Sequence, residues 1–329
     1  MSKFNALQAR ESAAGGFEQV IVQREIDDLP AGELLIRVKY SSLNYKDALS
    51  ASGNRGVTKN FPHTPGIDAA GVVEASSVAE FSVGDEVIVT GYDLGMNTSG
   101  GFAQYIRIPA SWALKRPKGL SLREAMVLGT AGLTAALCVD KLEQSGLTPD
   151  AGSVLVTGAT GGVGSVAVAL LTTLGYRVAA STGKVEQGDY LKALGAQQIV
   201  LRSELLDGTD KAMLKEQWAG AVDCVGGDIL FNVVKSLRYG ASAACCGLTA
   251  GVGFKGSVLP FILRGVNLLG VDSVELPLVV KASMWDKLSL QWKVKLDALA
   301  TEVTLEQLPE AIAQILAGKQ VGRVLVNLG

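Results

Sequence analysis

A glycine-rich segment carries the strongest chemical signal in the sequence. Residues 157–165 read TGATGGVGS and lie between an apolar run typical of a buried strand, 153–157, and an apolar run that favours a helix, 165–174. From Ala159 the segment matches A-x-G-x-x-G, a variant dinucleotide fingerprint in which alanine replaces the first glycine. Glycines also serve in plain tight turns, but the strand–loop–helix context favours a nucleotide site at the helix N-terminus.

The residues that would distinguish NAD from NADP follow the next predicted strand, 176–181. An acidic residue at the end of that strand would bind the ribose 2′-hydroxyl. The sequence there reads STGK over residues 181–184, and no acid follows until Glu186. Lys184 suits a 2′-phosphate, and Arg202, after the third predicted strand, could add a second cation. Each charge alone could equally be ordinary surface charge, but together with the missing acid they favour NADPH.

Metal ligands and nucleophiles are scarce in this chain. It has four cysteines and one histidine, His63, and no CxxC pair. A zinc site built from Cys and His would need nearly all of them, and a hydrolase with a catalytic histidine would depend on His63 alone. Cys245 and Cys246 are adjacent in an apolar stretch, which favours buried free thiols. Neither a zinc enzyme nor a hydrolase is predicted.

A polar loop offers two further candidates for chemistry. Asn44 and Tyr45 directly follow a predicted apolar strand, 34–40. Loops held by a rigid scaffold commonly carry functional residues, and tyrosine combines an apolar ring with a hydrogen-bond donor. We expect both residues to contribute to a site.

Two kinds of segment must position these residues. The first, residues 1–125, is rich in predicted strands, including one with alternating apolar and polar residues at 100–108. From Ser121, which forms a predicted capping box with Glu124, strands alternate with helices, as in a doubly wound parallel sheet. The last predicted strand, 321–327, is expected to return to the β-rich part. The sequence therefore predicts an α/β protein.

Length and composition limit the class of protein further. The 329 residues suit two domains, and 48% hydrophobic residues allow a large core. Thirty Lys and Arg against 32 Asp and Glu give a net charge of −2, without a block of like charge. This balance argues against nucleic-acid binding and against a polybasic membrane anchor. No signal-peptide pattern or membrane-spanning apolar run is recognised, so we expect a cytoplasmic protein.

Several motifs resemble one known superfamily. The segments NYKD at 44–47, PGIDAAG at 65–71, GDEV at 84–87 and GGFA at 100–103 are similar to those of medium-chain dehydrogenases/reductases, in the zinc-free quinone-oxidoreductase branch. Four blocks resemble the acryloyl-CoA reductase group of that branch, namely SLNYKDAL at 42–49, LGTAG at 128–132, PFILR at 260–264 and LGVDS at 269–273. The resemblance covers essentially the whole chain.

The resemblance implies a fold and an assembly. It implies a GroES-like β-domain over 1–125, completed by about 300–329, and a Rossmann domain over 126–299, with the cofactor in the cleft between them. Zinc-dependent relatives have a cysteine at the place of Asn44 and Gly-His-Glu at 66–68, so no metal is expected here. It also implies a homodimer, for which a strand such as 266–271 could supply the contact.

The resemblance further implies which residues bind NADPH. Tyr45 is expected beside the nicotinamide and, with Asn44, in a catalytic role. Without the family, Leu248 and Ile262 would be interpreted as core residues. The expected cofactor-binding residues are Tyr45, Thr160, Gly161, Gly162, Val163, Thr182, Gly183, Lys184, Arg202, Leu248, Ile262, Ser273 and Arg323.

The activity implied is reduction of the C=C bond of acryloyl-CoA to propionyl-CoA. Hydride from NADPH would reach the β-carbon, and a proton from Tyr45 or water would reach the α-carbon. Two alternatives stay open: an NADPH:quinone or 2-alkenal reductase, and an NADPH-binding sensor with little catalysis. The expected partner is a small-molecule CoA thioester substrate, and neither a nucleic acid nor a membrane is expected as a partner.

Overall fold

The structure is a computed structural model that describes residues 3–296 and 298–329. The strands are β1 (Lys3–Glu11), β2 (Phe17–Glu25), β3 (Leu34–Leu43), β4 (Asp68–Ser76), β5 (Glu86–Thr90), β6 (Tyr105–Ile108), β7 (Ala113–Lys115), β8 (Ser153–Val156), β9 (Arg177–Thr182), β10 (Gln198–Leu201), β11 (Trp218–Asp223), β12 (Leu237–Cys245), β13 (Asn267–Gly270), β14 (Ala300–Val303) and β15 (Arg323–Asn327). The α-helices are α1 (Tyr45–Ala51), α2 (Leu122–Gln144), α3 (Gly162–Thr173), α4 (Gly188–Ala193), α5 (Gly227–Ser236), α6 (Leu259–Arg264), α7 (Leu278–Ser289) and α8 (Leu308–Leu316).

The chain divides into two compact units. Unit 1 comprises Met1–Thr130, Val274–Ser289 and Leu299–Gly329, and unit 2 comprises Ala131–Ser273 and Leu290–Ala298. The sequence analysis places residues 274–289 in the Rossmann domain, whereas the structure groups them with unit 1. One contact that ties this segment to unit 1 is made by Lys281, on α7, whose buried ammonium donates to the carbonyls of Thr90 at 2.6 Å and Val274 at 2.9 Å.

Unit 1 contains a largely antiparallel sheet with the strand order β14-β15-β3-β4-β5-β7, and β6 also pairs with β3. The C-terminal strand β15 pairs antiparallel with β3, with Val324 opposite Leu43. Its side chains join a core cluster that includes Leu34, Phe102 and Ile312. The expected return of the C-terminal strand to the β-rich part is therefore confirmed.

Unit 2 contains a six-stranded sheet in the order β10-β9-β8-β11-β12-β13, and every pairing described is parallel. This is the strand order of a Rossmann fold, in which ligands bind outside the carboxyl ends of the strands. The predicted fold class is thus confirmed. β13 lies at the sheet edge, where the sequence analysis expects a dimer contact, and the dimer itself stays a prediction.

The strand predicted over 100–108 is shorter than expected, because β6 begins only at Tyr105. Residues 100–102 instead donate backbone hydrogen bonds to the carbonyls of Thr64, Gly66 and Pro65. A Cβ at Gly101 would lie 2.0 Å from the carbonyl oxygen of Asp68. Two backbone segments approach each other closely here, which requires glycine. The alternating apolar and polar pattern of residues 100–108 gives no sign of this requirement.

Helix α2 is long and apolar enough, by length and composition alone, to cross a membrane, with a mean hydropathy of 1.4. The sequence analysis does not anticipate such a segment. Of its most apolar 18 residues, 94% are buried inside the protein, so α2 is a core helix. The predicted capping box at its start is present: Glu124 accepts from Ser121 N at 2.7 Å, and Glu124 N donates to Ser121 Oγ at 3.1 Å.

Candidate nucleotide site and buried polar cluster

The loop after β8 adopts the geometry that its glycines predict. Gly158 has φ +59°, and Gly161 N donates to its carbonyl oxygen at 2.9 Å. A Cβ at Gly164 would lie 2.3 Å from the same oxygen, so only glycine allows α3 to pack this closely on the loop. Helix α3 begins at Gly162, and the first N–H groups of a helix have no partner within it.

The loop is tied to the neighbouring strand and keeps an accessible side. Ala159 N donates to the carbonyl of Ser181 at 3.0 Å, and the hydroxyls of Thr160 and Thr182 lie 3.3 Å apart. Thr160 is buried. The three residues that follow it, Gly161, Gly162 and Val163, are partly exposed and form the tip of the loop. The free donors and the positive end of α3 therefore fit a dinucleotide diphosphate.

Two cations lie beside the end of β9. A Cβ at Gly183 would lie 3.1 Å from Cζ of Arg202, so the exposed guanidinium group covers this glycine. Lys184 N donates to Thr182 Oγ1 at 2.9 Å. Burial lowers the pKa of Lys184, Glu186 raises it, and the charge of Arg202 lowers it further. The two positive groups are thus near neighbours, an arrangement that fits a 2′-phosphate.

The remaining expected cofactor residues of unit 2 differ in their exposure. Leu248 is 54% exposed and Ile262, on α6, is 69% exposed, so neither is a core residue. The alternative interpretation of both as core therefore does not hold. Ser273 is buried, and its hydroxyl lies 2.8 Å from that of Thr134.

In unit 1, Asn44 and Tyr45 form the start of α1. Asn44 is the N-cap residue, and its backbone N–H donates to Oδ2 of Asp47 at 2.8 Å. The other carboxylate oxygen of Asp47 accepts from Ile67 N at 2.8 Å. Tyr45 occupies the first helical position and is 39% exposed, so its phenol is accessible.

Asp68 is the centre of a buried polar cluster that the sequence analysis missed. Its carboxylate accepts hydrogen bonds from Ser42 Oγ at 2.5 Å, Asn44 Nδ2 at 2.8 Å, and Thr130 N and Oγ1 at 2.9 and 2.6 Å. A Cβ at Gly129, whose φ is +53°, would lie 2.5 Å from Oδ2 of Asp68. The kink that this glycine makes in α2 therefore lets the Thr130 amide reach the carboxylate.

Arg323 belongs to the same cluster. Its guanidinium group donates to the carbonyls of Val127 and Leu43, to Asn44 Oδ1 and to Ser42 Oγ, at 3.0, 3.2, 3.3 and 2.9 Å. Burial lowers the pKa of Arg323, and the charges of Asp68 and Asp47 raise it. The side chain is 2% exposed and bound within unit 1; its expected role toward the cofactor stays a prediction.

Burial also affects the second carboxylate of this cluster. Burial, followed by the nearby charge of Asp68, raises the pKa of Asp47 to about 7. His63 lies elsewhere in unit 1, with Nε2 2.9 Å from the carbonyl of Gly95, and burial lowers its pKa. In the described parts of the chain no group of three or more His, Cys, Asp or Glu side chains could hold a metal ion.

Together, these features define a class of enzyme. A Rossmann sheet with a glycine-rich loop after its first strand, joined in one chain to an antiparallel β unit, is the architecture of a nucleotide-dependent dehydrogenase or reductase. Two family models match the sequence accordingly: the alcohol dehydrogenase GroES-like domain over residues 30–118 and the zinc-binding dehydrogenase family over residues 162–289.

Similar proteins narrow the class. Acrylyl-CoA reductase AcuI of Ruegeria pomeroyi is 46% identical over 99% of both chains. YhfP of Bacillus subtilis, which carries a quinone-oxidoreductase name, is 48% identical over 99% of both chains; its structure with NAD bound matches with a TM-score of 0.96, covering 100% of both chains. The yhdH oxidoreductase of Salmonella enterica in complex with NADP is 43% identical, with a TM-score of 0.96 over 99% of this chain and 100% of that one.

The chain therefore belongs to the medium-chain dehydrogenase/reductase superfamily, in the group that contains AcuI and YhfP. It is an oxidoreductase of that family.

Proposed function

We propose that the protein reduces the C=C bond of acryloyl-CoA to give propionyl-CoA, with NADPH as the electron donor. The observation that carries this proposal is the 46% identity to an acrylyl-CoA reductase over nearly the full length of both chains. The motifs at 128–132, 260–264 and 269–273 support the same subgroup. We further propose a cytoplasmic location, in keeping with the four free thiols.

NADPH, when bound, supplies the hydride. Residues Thr160–Val163 and the N-terminus of α3 would hold its diphosphate, and Lys184 and Arg202 would bind the 2′-phosphate. Support for this choice over NAD comes from the neighbouring positions of the two cations and from the absence of an acid over residues 181–184. NADP in the yhdH relative agrees with it, whereas NAD in YhfP makes direct measurement necessary.

The chain's own residues would then stabilise the developing charge and deliver a proton. After hydride addition to the β-carbon, negative charge develops on the thioester oxygen, and hydrogen-bond donors must face it. Tyr45 would donate its phenolic proton to the α-carbon, because the side chain is exposed. Tyr45 is also the first residue of α1, whose start is stabilised by the hydrogen bond from Asn44 N to Asp47. Asn44 would position Tyr45 through the N-cap.

The first experiment measures oxidation of NADPH with acryloyl-CoA, crotonyl-CoA and a simple quinone in parallel, with NADH as the cofactor control. Rapid turnover of acryloyl-CoA with NADPH supports the proposal. Preference for the quinone would replace it with a quinone reductase, the function that the name of YhfP favours. NADPH binding without turnover of any acceptor would favour a sensor.

The proton-donor role has its own test. Tyr45→Phe should lower kcat about 100-fold, in line with the usual contribution of a general acid, and leave the Kd for NADPH unchanged. Tyr239→Phe is the matched control, because Tyr239 is 78% exposed in unit 2 and has no proposed role. Full turnover by Tyr45→Phe would leave water as the proton donor.

A further inference from the structure

Three thiols of unit 2 meet beside the glycine-rich loop, and the proposed function does not use them. Cys224 directly follows β11, and Cys246 directly follows β12. Their sulfur atoms lie 3.9 Å apart, and Cys246 Sγ lies 3.3 Å from the carbonyl oxygen of Asp223. Cys138, on α2, is buried, and a hydrogen bond with Cys246 raises the pKa of its thiol. The sequence analysis expects buried thiols at 245 and 246, whereas both residues are partly exposed.

The backbone already meets the requirement of a disulfide. β11 and β12 pair in parallel, and the last paired residues are Asp223 and Cys245. Cys246 N continues the ladder with a 3.0 Å hydrogen bond to the carbonyl of Asp223. Neighbouring strands lie roughly 4.8 Å apart, and disulfides join Cα atoms roughly 4.4–6.8 Å apart. The strand pairing is therefore compatible with a disulfide between the two cysteines, whose sulfur atoms already lie 3.9 Å apart.

The geometry of the two thiols suits stepwise oxidation. The S–H of Cys246 donates to the sulfur of Cys224 and to the carbonyl of Asp223. The neighbouring thiols of Cys138 and Cys224 lower the pKa of Cys246, and Cys246, together with burial, raises the pKa of Cys224. The thiolate is the form that reacts with oxidants, and the 3.9 Å separation lets either sulfur resolve a sulfenic acid formed on the other.

The pair is directly connected to the loop proposed to bind the cofactor. Cys224 N donates to Thr157 Oγ1 at 3.0 Å, and that hydroxyl donates to Asp223 Oδ1 at 2.7 Å. A Cβ at Gly158 would lie 3.4 Å from Cβ of Cys224. The backbone of Cys224 therefore supports the loop, and a shift of that backbone when the S–S bond forms would act on Thr157 and Gly158. Leu248, a proposed cofactor contact, lies two residues beyond Cys246 in the chain.

We propose that Cys224 and Cys246 form a reversible disulfide in the presence of a peroxide, and that this disulfide weakens NADPH binding; the second part rests on the proposed function. The thiolate of one of the two cysteines attacks a peroxide oxygen, which gives a sulfenic acid and releases hydroxide when the peroxide is H₂O₂. The thiol of the other cysteine then attacks that sulfur, which forms the S–S bond and releases water. The two thiols lose two electrons in total, and the peroxide gains them.

The test treats the full-length protein with hydrogen peroxide and maps its peptides by mass spectrometry. The expected result is one peptide pair linked through Cys224 and Cys246, lighter by two hydrogen atoms and separated again by dithiothreitol. Cys224→Ser and Cys246→Ser should each abolish the linked pair. Cys245→Ser is the matched control and should retain the linked pair, because Cys245 is adjacent to Cys246 and is also partly exposed. No linked pair, or a link to another cysteine, would overturn the proposal.

The effect on the cofactor is measured separately by titrating NADPH into the reduced and the oxidised protein. We expect about tenfold weaker binding after oxidation, which is within the usual range of coupling between two sites, and full recovery with dithiothreitol. Equal affinity before and after oxidation would overturn the regulatory part. If the reduced protein fails to bind NADPH, the proposed function fails, while the linked peptides still decide the disulfide.

Discussion

Unit 1 and unit 2 differ in how deeply the charged residues of their candidate sites are buried. In unit 1, Asp68 and Arg323 are 0% and 2% exposed. Asp68 accepts hydrogen bonds from Ser42 and Asn44, and Arg323 donates one to Ser42. In unit 2, Arg202 is exposed and Lys184 is half-buried, and the charges of Glu186 and Arg202 act on Lys184 in opposite directions. One set of charges is enclosed within the protein, whereas the other lies at its surface.

This difference follows from the energetics of desolvation. A buried charge is costly unless it is paired and hydrogen-bonded, so the cluster in unit 1 must be nearly complete to exist. An exposed cation and a half-buried one keep much of their water, which an anion can replace. The comparison therefore teaches that substitutions around Asp68 should act on stability, whereas substitutions of Lys184 or Arg202 should act on ligand affinity.

The largest expected effect comes from removing the central carboxylate. Asp68→Ala leaves four donors, on Ser42, Asn44 and Thr130, without their acceptor and removes a negative charge that acts on Arg323. Breaking a buried charge arrangement in this way should lower the free energy of unfolding by about 3–5 kcal/mol. Urea unfolding monitored by tryptophan fluorescence measures it.

The control for this substitution is Asp27→Ala, because Asp27 is an exposed carboxylate of the same unit. It should change the free energy of unfolding by less than about 0.5 kcal/mol. An Asp68→Ala variant as stable as this control would show that the hydrogen bonds around Asp68 contribute little.

The next effect is a pH dependence that originates at Asp47. Its pKa is raised from 3.8 to about 7 in the folded protein, first by burial and then by the charge of Asp68. The folded state therefore keeps this proton at pH values where the unfolded chain releases it, so stability falls as pH rises from about 4 to 7. Between pH 5 and pH 8 the loss should be about 2–3 kcal/mol.

Asp47→Asn tests the source of that loss, because an amide resembles the protonated carboxyl and does not titrate. Urea unfolding at pH 5, 6, 7 and 8 should show a smaller decrease with pH for the variant than for the unchanged protein. The same slope in both proteins would mean that another group causes it.

The same two regions show how far the sequence alone can lead. The loop at 157–165 was predictable, because strand, glycines and helix follow one another within a short stretch, and Gly158 and Gly164 each have a local reason. The capping box at Ser121 was predictable for the same reason. The Asp68 cluster was not predictable in this way. The hydrogen bond between Arg323 and Ser42 joins residues 281 positions apart, and no local pattern specifies it.

A signal for the cluster was nevertheless present in the motifs that carried the family resemblance. NYKD at 44–47 and PGIDAAG at 65–71 contain Asp47 and Asp68, which have no metal or catalytic role in the sequence analysis. Two carboxylates within apolar surroundings need buried partners, and this alone could have raised the question of which residues supply them. The grouping of residues 274–289 with unit 1 was not predictable for a related reason, since the hydrogen bond between Lys281 and Thr90 joins distant segments.

The smallest expected effect is the most specific one, and it tests unit 2. Lys184→Ala and Arg202→Ala should each weaken NADPH binding about tenfold, or about 1.4 kcal/mol, because each removes one cation from the 2′-phosphate. Binding of NADH, which lacks that phosphate, should be unchanged, so the ratio of the two Kd values is the measurement. Lys192→Ala is the matched control, since Lys192 lies in unit 2 with its side chain 64% exposed. Equal weakening for both nucleotides would mean that the cations stabilise the loop itself, and unit 2 would then resemble unit 1.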